Sequence, residues 1–347
     1  MSDQTRVPQP TLVTESVLLE GDVVRILDRR VFPFEKTWVV CRTVEDVAKA
    51  IEDMVTQSSG PLFAAAGGMA LAAQAADREG SSVDSRRTAI RQSGERLKAT
   101  RKTNNNIREV VTELLAIGDS ALERGEDLTP AVTAGAEAAA ARYNEQSERL
   151  GRYAAPLVPD GATILTHCWA ESYLTQTVAA VLDSGKHIQA ICTETRPYLQ
   201  GARLVAESLA EMGVPTRLIT DGMPAHLMSR GDVDIFLSAA DRVTMDGHVV
   251  NKVGTLQIAL AAHAFGVPYV ALAHAPDVNA LTIDDVEMED RNGDDVLYTL
   301  GHRTASTRVT GIYPAFDATP PQYVSAIVTD RGRFSPRDLA SYHSREA

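Results

Sequence analysis

The chain has 347 residues, 44% of them hydrophobic and 23% charged, enough for one large domain or two ordinary ones, each with its own core. Its formal net charge of −12 excludes bulk attraction to nucleic acid or to an anionic membrane, so neither is an expected partner. Three cysteines, Cys41, Cys168 and Cys192, are too few and too scattered for a disulfide framework or a structural zinc site. No apolar stretch reaches membrane-spanning length, and Met1-Ser2-Asp3-Gln4 lacks a signal-peptide core, so a reducing cytoplasm is the expected compartment.

Residues 1–15 are polar and contain proline, which predicts a loose tail. Val17–Leu27 and Trp38–Val40 alternate over short spans and predict a few small strands. From Val44 the period becomes helical, with Val44, Val47, Ala48, Ile51, Met54 and Val55 on one face. Ala64–Ala76 is rich in alanine and nearly free of charge, which predicts a buried helix. Asp77–Lys102 is crowded with charge and reads as a solvated helix or a mobile loop. Ile107, Val110, Val111, Leu114 and Leu115 mark a further helix, and Leu128–Leu150 another. Residues 1–150 are thus expected to form a mainly helical domain with small strands at its start.

After Pro156 the rhythm changes to βαβ. Apolar runs at Thr163–Leu165, Ile188–Cys192, Thr216–Ile219, Asp234–Leu237 and Pro268–Leu272 alternate with amphipathic stretches at Leu174–Leu182, Ala202–Met212 and Leu256–Ala264. Gly213-Val214-Pro215 and Gly266-Val267-Pro268 each read as a helix stop followed by a strand. The expected fold class is α/β, with residues 151–347 forming a Rossmann-like domain on a parallel sheet. Arg331–Ala347 is polar and expected at the periphery.

Each of the five runs leads to residues that can do chemistry: Thr166-His167-Cys168, Thr193-Glu194-Thr195-Arg196, Thr220-Asp221, Asp241-Arg242 and Ala273-His274. Ligands bind outside the carboxyl ends of parallel strands, so these groups would share one edge. Nucleotide fingerprints of the Gly-x-Gly-x-x-Gly and Walker types are missing, and so are the common zinc spacings. Cys168 is either a small buried hydrophobe or a working thiol at a strand end. Asp241 is either a cap or partner of Arg242, or a reactive acid. Asn251-Lys252-Val253-Gly254-Thr255 brings an amide, an ammonium and a glycine to a helix start, which suits a phosphate or a sugar hydroxyl as well as simple capping. Glu194–Leu204 is the most specific string, with Pro197 expected near a helix start. His167 and His274 are expected to support the site rather than to touch substrate.

These strings together resemble the methylthioribose-1-phosphate isomerase family, within the group that also holds ribose-1,5-bisphosphate isomerases and the regulatory subunits of initiation factor 2B. The resemblance covers most of residues 161–331. It is carried by Leu165-Thr166-His167-Cys168, Glu194-Thr195-Arg196-Pro197 through Leu204, Asp221-Gly222-Met223, Ala240-Asp241-Arg242, Asn251 to Thr255, Glu287–Arg291 and Pro314–Pro320. It implies a helical domain followed by a Rossmann-like one, a homodimer, no cofactor and no metal. The implied activity is that of an intramolecular oxidoreductase, turning an aldose 1-phosphate into a ketose 1-phosphate. Carried over, Cys168 and Asp241 match the catalytic pair, and Gln200, Asn251 and Lys252 match residues that hold the phosphorylated sugar. Arg101 matches a phosphate-binding arginine through Thr100-Arg101-Lys102-Thr103 with Asn106.

The chain departs from the family pattern in three places. Ser58-Ser59-Gly60-Pro61 stands where the family has Arg-Gly-Ala-Pro, so that arginine is lost. Trp169-Ala170-Glu171 stands where the family shows Asn and, two residues on, Gly; Ala239 replaces the Gly of Gly-Ala-Asp. Two alternatives accompany the isomerase reading. One is a non-catalytic regulatory subunit that binds a nucleotide or sugar phosphate. The other is an isomerase for ribose 1,5-bisphosphate or 5-deoxyribose 1-phosphate. A sugar phosphorylated at C1 is locked as a cyclic acetal, so opening it calls for an acid at the ring oxygen. Asp241 would serve there and at O2, keeping its proton near neutral pH through burial. Cys168 would work at C1/C2 through an enediol-like state or lie beside a hydride shift.

Overall fold

The computed structural model describes residues 7–80, 82–101 and 105–344. They divide into two compact units, Thr11–Glu145 and residues 146–344 with residues 7–10. The boundary falls inside one long helix, Leu128–Ala154.

The first unit opens with a helical turn, Thr11–Thr14, in which Thr11 and Leu12 are buried. Residues 7–15 are therefore no loose tail, because Leu12 has an apolar site to fill; residues 1–6 lie outside the described residues. Strands β1 (Val17–Glu20), β2 (Val23–Leu27) and β3 (Trp38–Cys41) form an antiparallel sheet in that order. Helix α1 (Val44–Glu52) starts at a capping box made by Thr43 and Asp46 and buries Val47, Ala48, Ala50 and Ile51. Helix α2 (Gly60–Glu79) carries small residues almost all round, and most of them are buried. The charge-rich span after it is a helix, α3 (Val83–Ala99), started by a Ser82/Ser85 box. It buries only Ile90, Gly94 and Leu97, so its charges face outward; Ser81 and Lys102 lie outside the described residues. Helix α4 (Asn105–Glu123) and helix α5 (Leu128–Ala154) complete the bundle.

The second unit is built on a seven-stranded sheet. Its strands are β4 (Thr163–Thr166), β5 (Gln189–Thr193), β6 (Thr216–Ile219), β7 (Ile235–Ala239), β10 (Tyr269–Leu272), β12 (Ala326–Thr329) and β13 (Gly332–Phe334). Their spatial order is β13-β12-β10-β7-β4-β5-β6, all parallel except β13. Five of these seven strands are the apolar runs of the sequence. β4, β5, β7 and β10 are largely buried, which is why they read as continuous hydrophobic segments, whereas β6 lies at the sheet edge with Arg217 and Leu218 exposed. The helices include α6 (Glu171–Asp183), α7 (Ala206–Glu211), α8 (Pro224–Ser229) and α9 (Thr255–Ala264). A second, antiparallel sheet has the order β11-β9-β8, from β8 (Arg242–Val243), β9 (Val249–Lys252) and β11 (Phe316–Thr319).

The polar C-terminal stretch is not peripheral. It supplies β13, and Phe334, Leu339 and Tyr342 join the same buried cluster as Phe236, Tyr269 and Ile327. Spaced singly among polar residues, those three side chains gave no periodic signal. Residues 345–347 lie outside the described residues.

Asp77 does its work at the first turn of α5. Its carboxylate accepts from Leu128 N at 3.1 Å, Thr129 N at 2.8 Å and Thr129 Oγ1 at 2.7 Å, satisfying donors that have no partner within the helix. Partial burial opposes the charge, yet these bonds hold the carboxyl below its usual range. Asp77→Ala is expected to cost about 1–2 kcal/mol in urea denaturation. Unchanged stability would show that α5 needs no cap from Asp77.

Candidate active site

Going outward from β4, the chain runs β4, β5, β6 to one side, then returns with β7, β10 and β12 on the other. The carboxyl ends of β4 and β7 therefore flank the point where strand order reverses, the crevice in which open α/β sheets bind ligands. Thr166-His167-Cys168 leaves one side of it and Ala239-Ala240-Asp241 the other.

His167 is fully committed to structure. Its Nε2 lies 3.0 Å from the Val253 carbonyl, an acceptor only, so that nitrogen carries the hydrogen and donates. Burial keeps the ring neutral, and Nδ1 accepts from the Thr193 hydroxyl at 2.6 Å. Gly254, at φ +107°, passes so close that a Cβ there would sit 3.0 Å from the imidazole. His274 is likewise engaged, 2.9 Å from Ser147 Oγ and tilted against the Tyr173 ring at 4.5 Å, with burial and Arg149 pushing it down to about 3.

Cys168 follows in the left-handed region, at φ +63°, with its amide donating to Thr195 Oγ1 at 3.0 Å. Non-glycine residues rarely adopt that conformation, and strain of this kind concentrates at functional sites. Burial pushes the thiol up to about 11; Lys252 and the Trp169 amide oppose the rise, Asp241 adds to it, and Arg291 opposes it. Burial also pushes Cys41 up to about 11 and Cys192 up to about 12. What separates Cys168 is its partial exposure, its strained backbone and the charges around it.

The loop after β5 is held from β6. Both carboxylate oxygens of Asp221 accept backbone amides, Thr195 N at 2.8 Å and Arg196 N at 2.7 Å. Thr195 and Leu199 are both left-handed, at φ +59°. Pro197 stands in this turn rather than at a helix start, and a π-helical turn, Gly201–Val205, begins four residues later. Gly201 packs against the end of β5 so tightly that a Cβ would lie 1.8 Å from the Thr193 carbonyl oxygen. This fixes Gln200 in the interior, where its Oε1 has no hydrogen-bond partner among the described residues. A buried bare acceptor is costly, so it marks a place for a ligand donor.

Asn251 and Lys252 end β9 and are both buried. Asn251 donates to Thr255 Oγ1 at 3.0 Å, which in turn donates to the Lys252 carbonyl at 2.7 Å. The Lys252 ammonium lies 4.4 Å from the centre of the Phe316 ring. Burial lowers its pKa, while the Cys168 and Asp241 charges work to raise it. Cys168, Asp241 and Lys252 thus act on one another electrostatically.

Two expectations change. Asp241 is exposed, so the burial expected to hold its proton is not found; Arg242 pairs with Asp277 at 3.2 Å. The start of α9 is not open to a phosphate, because Asp317 accepts from Gly254 N at 2.7 Å and from Leu256 N at 3.1 Å. Burial nonetheless pushes Asp317 up to about 6. Glu171, where the family has glycine, is left-handed at φ +43° and buried, a strain of about 1–2 kcal/mol. The Trp169 indole beside the thiol is buried too, and its N–H has no partner among the described residues.

Arg101 belongs to the first unit, just beyond α3, where its guanidinium touches Met54 Sδ. Its neighbours Lys102 and Thr103 lie outside the described residues. At the altered Ser58–Pro61 turn another guanidinium is present, that of buried Arg29, which donates to Gln57 O and Ser16 Oγ, each at 2.6 Å. Sequence reasoning missed Arg291 as a site residue; the only signal was its place in the matching Glu287–Arg291 string.

The chain matches the Initiation factor 2 subunit family over residues 56–336. It is 36% identical over 323 residues to the methylthioribose-1-phosphate isomerase of Anaeromyxobacter sp. (strain K), covering 90% of each chain. It is 33% identical over 336 residues to that of Thermotoga neapolitana, covering 94% of this chain and 96% of the other. Among solved structures it resembles 5-methylthioribose 1-phosphate isomerase from Pyrococcus horikoshii OT3, with TM-score 0.88, 29% identity, and 97% and 98% coverage. It also resembles the delta subunit of translation initiation factor eIF-2B from A. fulgidus, with TM-score 0.82, 29% identity, and 95% and 97% coverage. The chain belongs to the Initiation factor 2 subunit family and, within it, to the methylthioribose-1-phosphate isomerase group.

Proposed function

We propose that the chain is a cofactor-free aldose–ketose isomerase that converts S-methyl-5-thio-α-D-ribose 1-phosphate, or a related 5-substituted ribose 1-phosphate, to the ribulose 1-phosphate. The observation that carries this reading is the meeting of a thiol, a carboxylate and an ammonium at the crevice where strand order reverses. The names of its relatives point to the same substrate class.

The raised thiol and the exposed carboxylate divide the work. Cys168 keeps its proton at neutral pH and serves as the acid; Asp241 serves as the base. Asp241 takes the O2 proton, the C2–H electron pair moves as hydride to C1, and the C1–O4 bond breaks with O4 taking the Cys168 proton. Oxidation at C2 and reduction at C1 balance within one molecule. A proton passed through solvent from the Asp241 carboxyl to the sulfur resets the site. Lys252, Asn251 and the bare Gln200 carbonyl hold the sugar phosphate; Arg101 is assigned to the phosphate on the resemblance of its string.

The chain is assigned to a reducing cytoplasm, on its free cysteines. It is assigned to a homodimer on the apolar side chains of residues 296–312, where Leu300 is 67% and Ile312 84% exposed. Light scattering should give twice the chain mass; the mass of one chain at micromolar concentration would refute the dimer.

Cys168→Ser and Asp241→Asn should each lower kcat for 5-methylthioribose 1-phosphate by ~10²–10⁴-fold, read as ketose formation, with KM changed only slightly. Full turnover by either variant removes that residue from the chemistry. No turnover by the wild type with any C1-phosphorylated pentose, together with tight nucleotide binding, would favour the regulatory reading. The pH profile tests the acid role. A thiol raised to about 11 stays protonated below that pH, so activity should hold through pH 9.5 and fall only as pH rises past it. Loss of activity with a midpoint near that of a free thiol, ~8.5, would show that the working proton is not on Cys168.

A further inference from the structure

Arg291 sits on a two-residue strand, Asp290–Arg291, with Glu289 just before it, and the mechanism above uses neither. Asp290 and Arg291 pair antiparallel with Tyr313 and Pro314, and Ala315 N donates to the Glu289 carbonyl at 2.9 Å. The next residue, Phe316, starts β11 and stands opposite Lys252 of β9. Backbone pairing thus fixes Arg291 relative to Lys252.

The guanidinium is held from several directions. Its Nε donates to Glu289 Oε1 at 2.6 Å. Its carbon lies 5.7 Å from the centre of the Tyr198 ring and 5.9 Å from that of Phe316, the ring that Lys252 also faces. Two cations therefore share one aromatic ring, and Glu289 is the carboxylate directly bonded to the outer one. Holding like charges together costs energy unless something negative gathers between them.

We propose that Arg291 is a positioning residue for the thiol: clamped by Glu289 and laid over Tyr198 and Phe316, it joins Lys252 in stabilising the negative charge that Cys168 acquires when its proton leaves. This rests on the isomerase reading with Cys168 as acid. When the S–H proton passes to O4, the sulfur becomes a thiolate in a site whose packing penalises charge. Fixed cations aimed at a developing charge need no reorganisation as it forms. The groups that act on Cys168 are Lys252, Asp241 and Arg291, and Tyr313 feels the sulfur in turn. Those around Arg291 are Glu289, Tyr313 and Tyr198, with Asp295 beyond at 3.2 Å from the Tyr198 hydroxyl.

The test compares wild type, Arg291→Gln, Arg291→Lys and Glu289→Gln by alkylation with iodoacetamide from pH 7 to 10. Mass spectrometry of the Cys168 peptide separates it from Cys41 and Cys192. Arg291→Gln should slow alkylation at a given pH by ~3–10-fold, up to one pKa unit, and Glu289→Gln should speed it. Arg291→Lys should restore most of the wild-type profile. In turnover, Arg291→Gln should lower kcat ~10-fold or more with KM changed less than ~3-fold. A purely structural role does not give opposite signs for the two partners. If Arg291→Gln does not fold, the Lys and Glu289→Gln variants still give the sign. Unchanged alkylation in both Gln variants, or a rise in KM alone, overturns the proposal. If the wild type isomerises no sugar phosphate, the functional reading fails while the alkylation comparison still decides whether Arg291 acts on the thiol.

Discussion

One neutral imidazole holds the candidate catalytic edge together. His167 joins the end of β4 to the end of β5 through Thr193 and to the turn after β9 through Val253. Burial favours the neutral ring, which carries its hydrogen on Nε2 and none on Nδ1. Thr195, next along, receives the Cys168 amide and is itself held by Asp221. Three strand ends therefore form one bonded unit, and the strained backbone of Cys168 persists because its neighbours over-determine it.

On that frame the charges are sorted by exposure. The thiol lies where burial outweighs the nearby cations, so it keeps its proton. Asp241 stands at the mouth, and Lys252 is buried against an aromatic ring. Two groups with opposite environments at one crevice is the arrangement from which acid and base assignments follow. Asp317 fills the amides at the start of α9, so the negative charge of a substrate must be met by side chains rather than by that helix end.

Five strands of the parallel sheet were legible because they read as short apolar runs between helical stretches, four of them (β4, β5, β7 and β10) largely buried. The shortest antiparallel strands of the second unit were not: β8 has two residues and β13 has three, too few for any period to register. Cys168, Asp241, Gln200, Asn251 and Lys252 could be named because each sits at a strand end or in a distinctive string. Their environments could not. The exposure of Asp241 and the capping of α9 by Asp317 depend on contacts across 61 to 63 residues of chain or on the path of neighbouring loops. Arg291 escaped notice for the same reason. Its importance comes from backbone pairing with Tyr313, which no local pattern announces.

The two ends of the seven-stranded sheet differ, and the difference bears on self-association. At one end β13 runs against the others and leads into the buried Leu339 and Tyr342, so chain of the same molecule lies close by. At the other end β6 presents a flank of backbone groups with no strand paired to it among the described residues, the usual template for a foreign strand. That strand is only four residues long, follows Pro215, which has no N–H to offer, and carries the exposed Arg217 beside the half-exposed Leu218. A second chain zipping onto it would find few ladder bonds and a charge to desolvate. Edge-to-edge pairing on this flank is therefore disfavoured, and replacing Arg217 by a β-branched residue would weaken that guard.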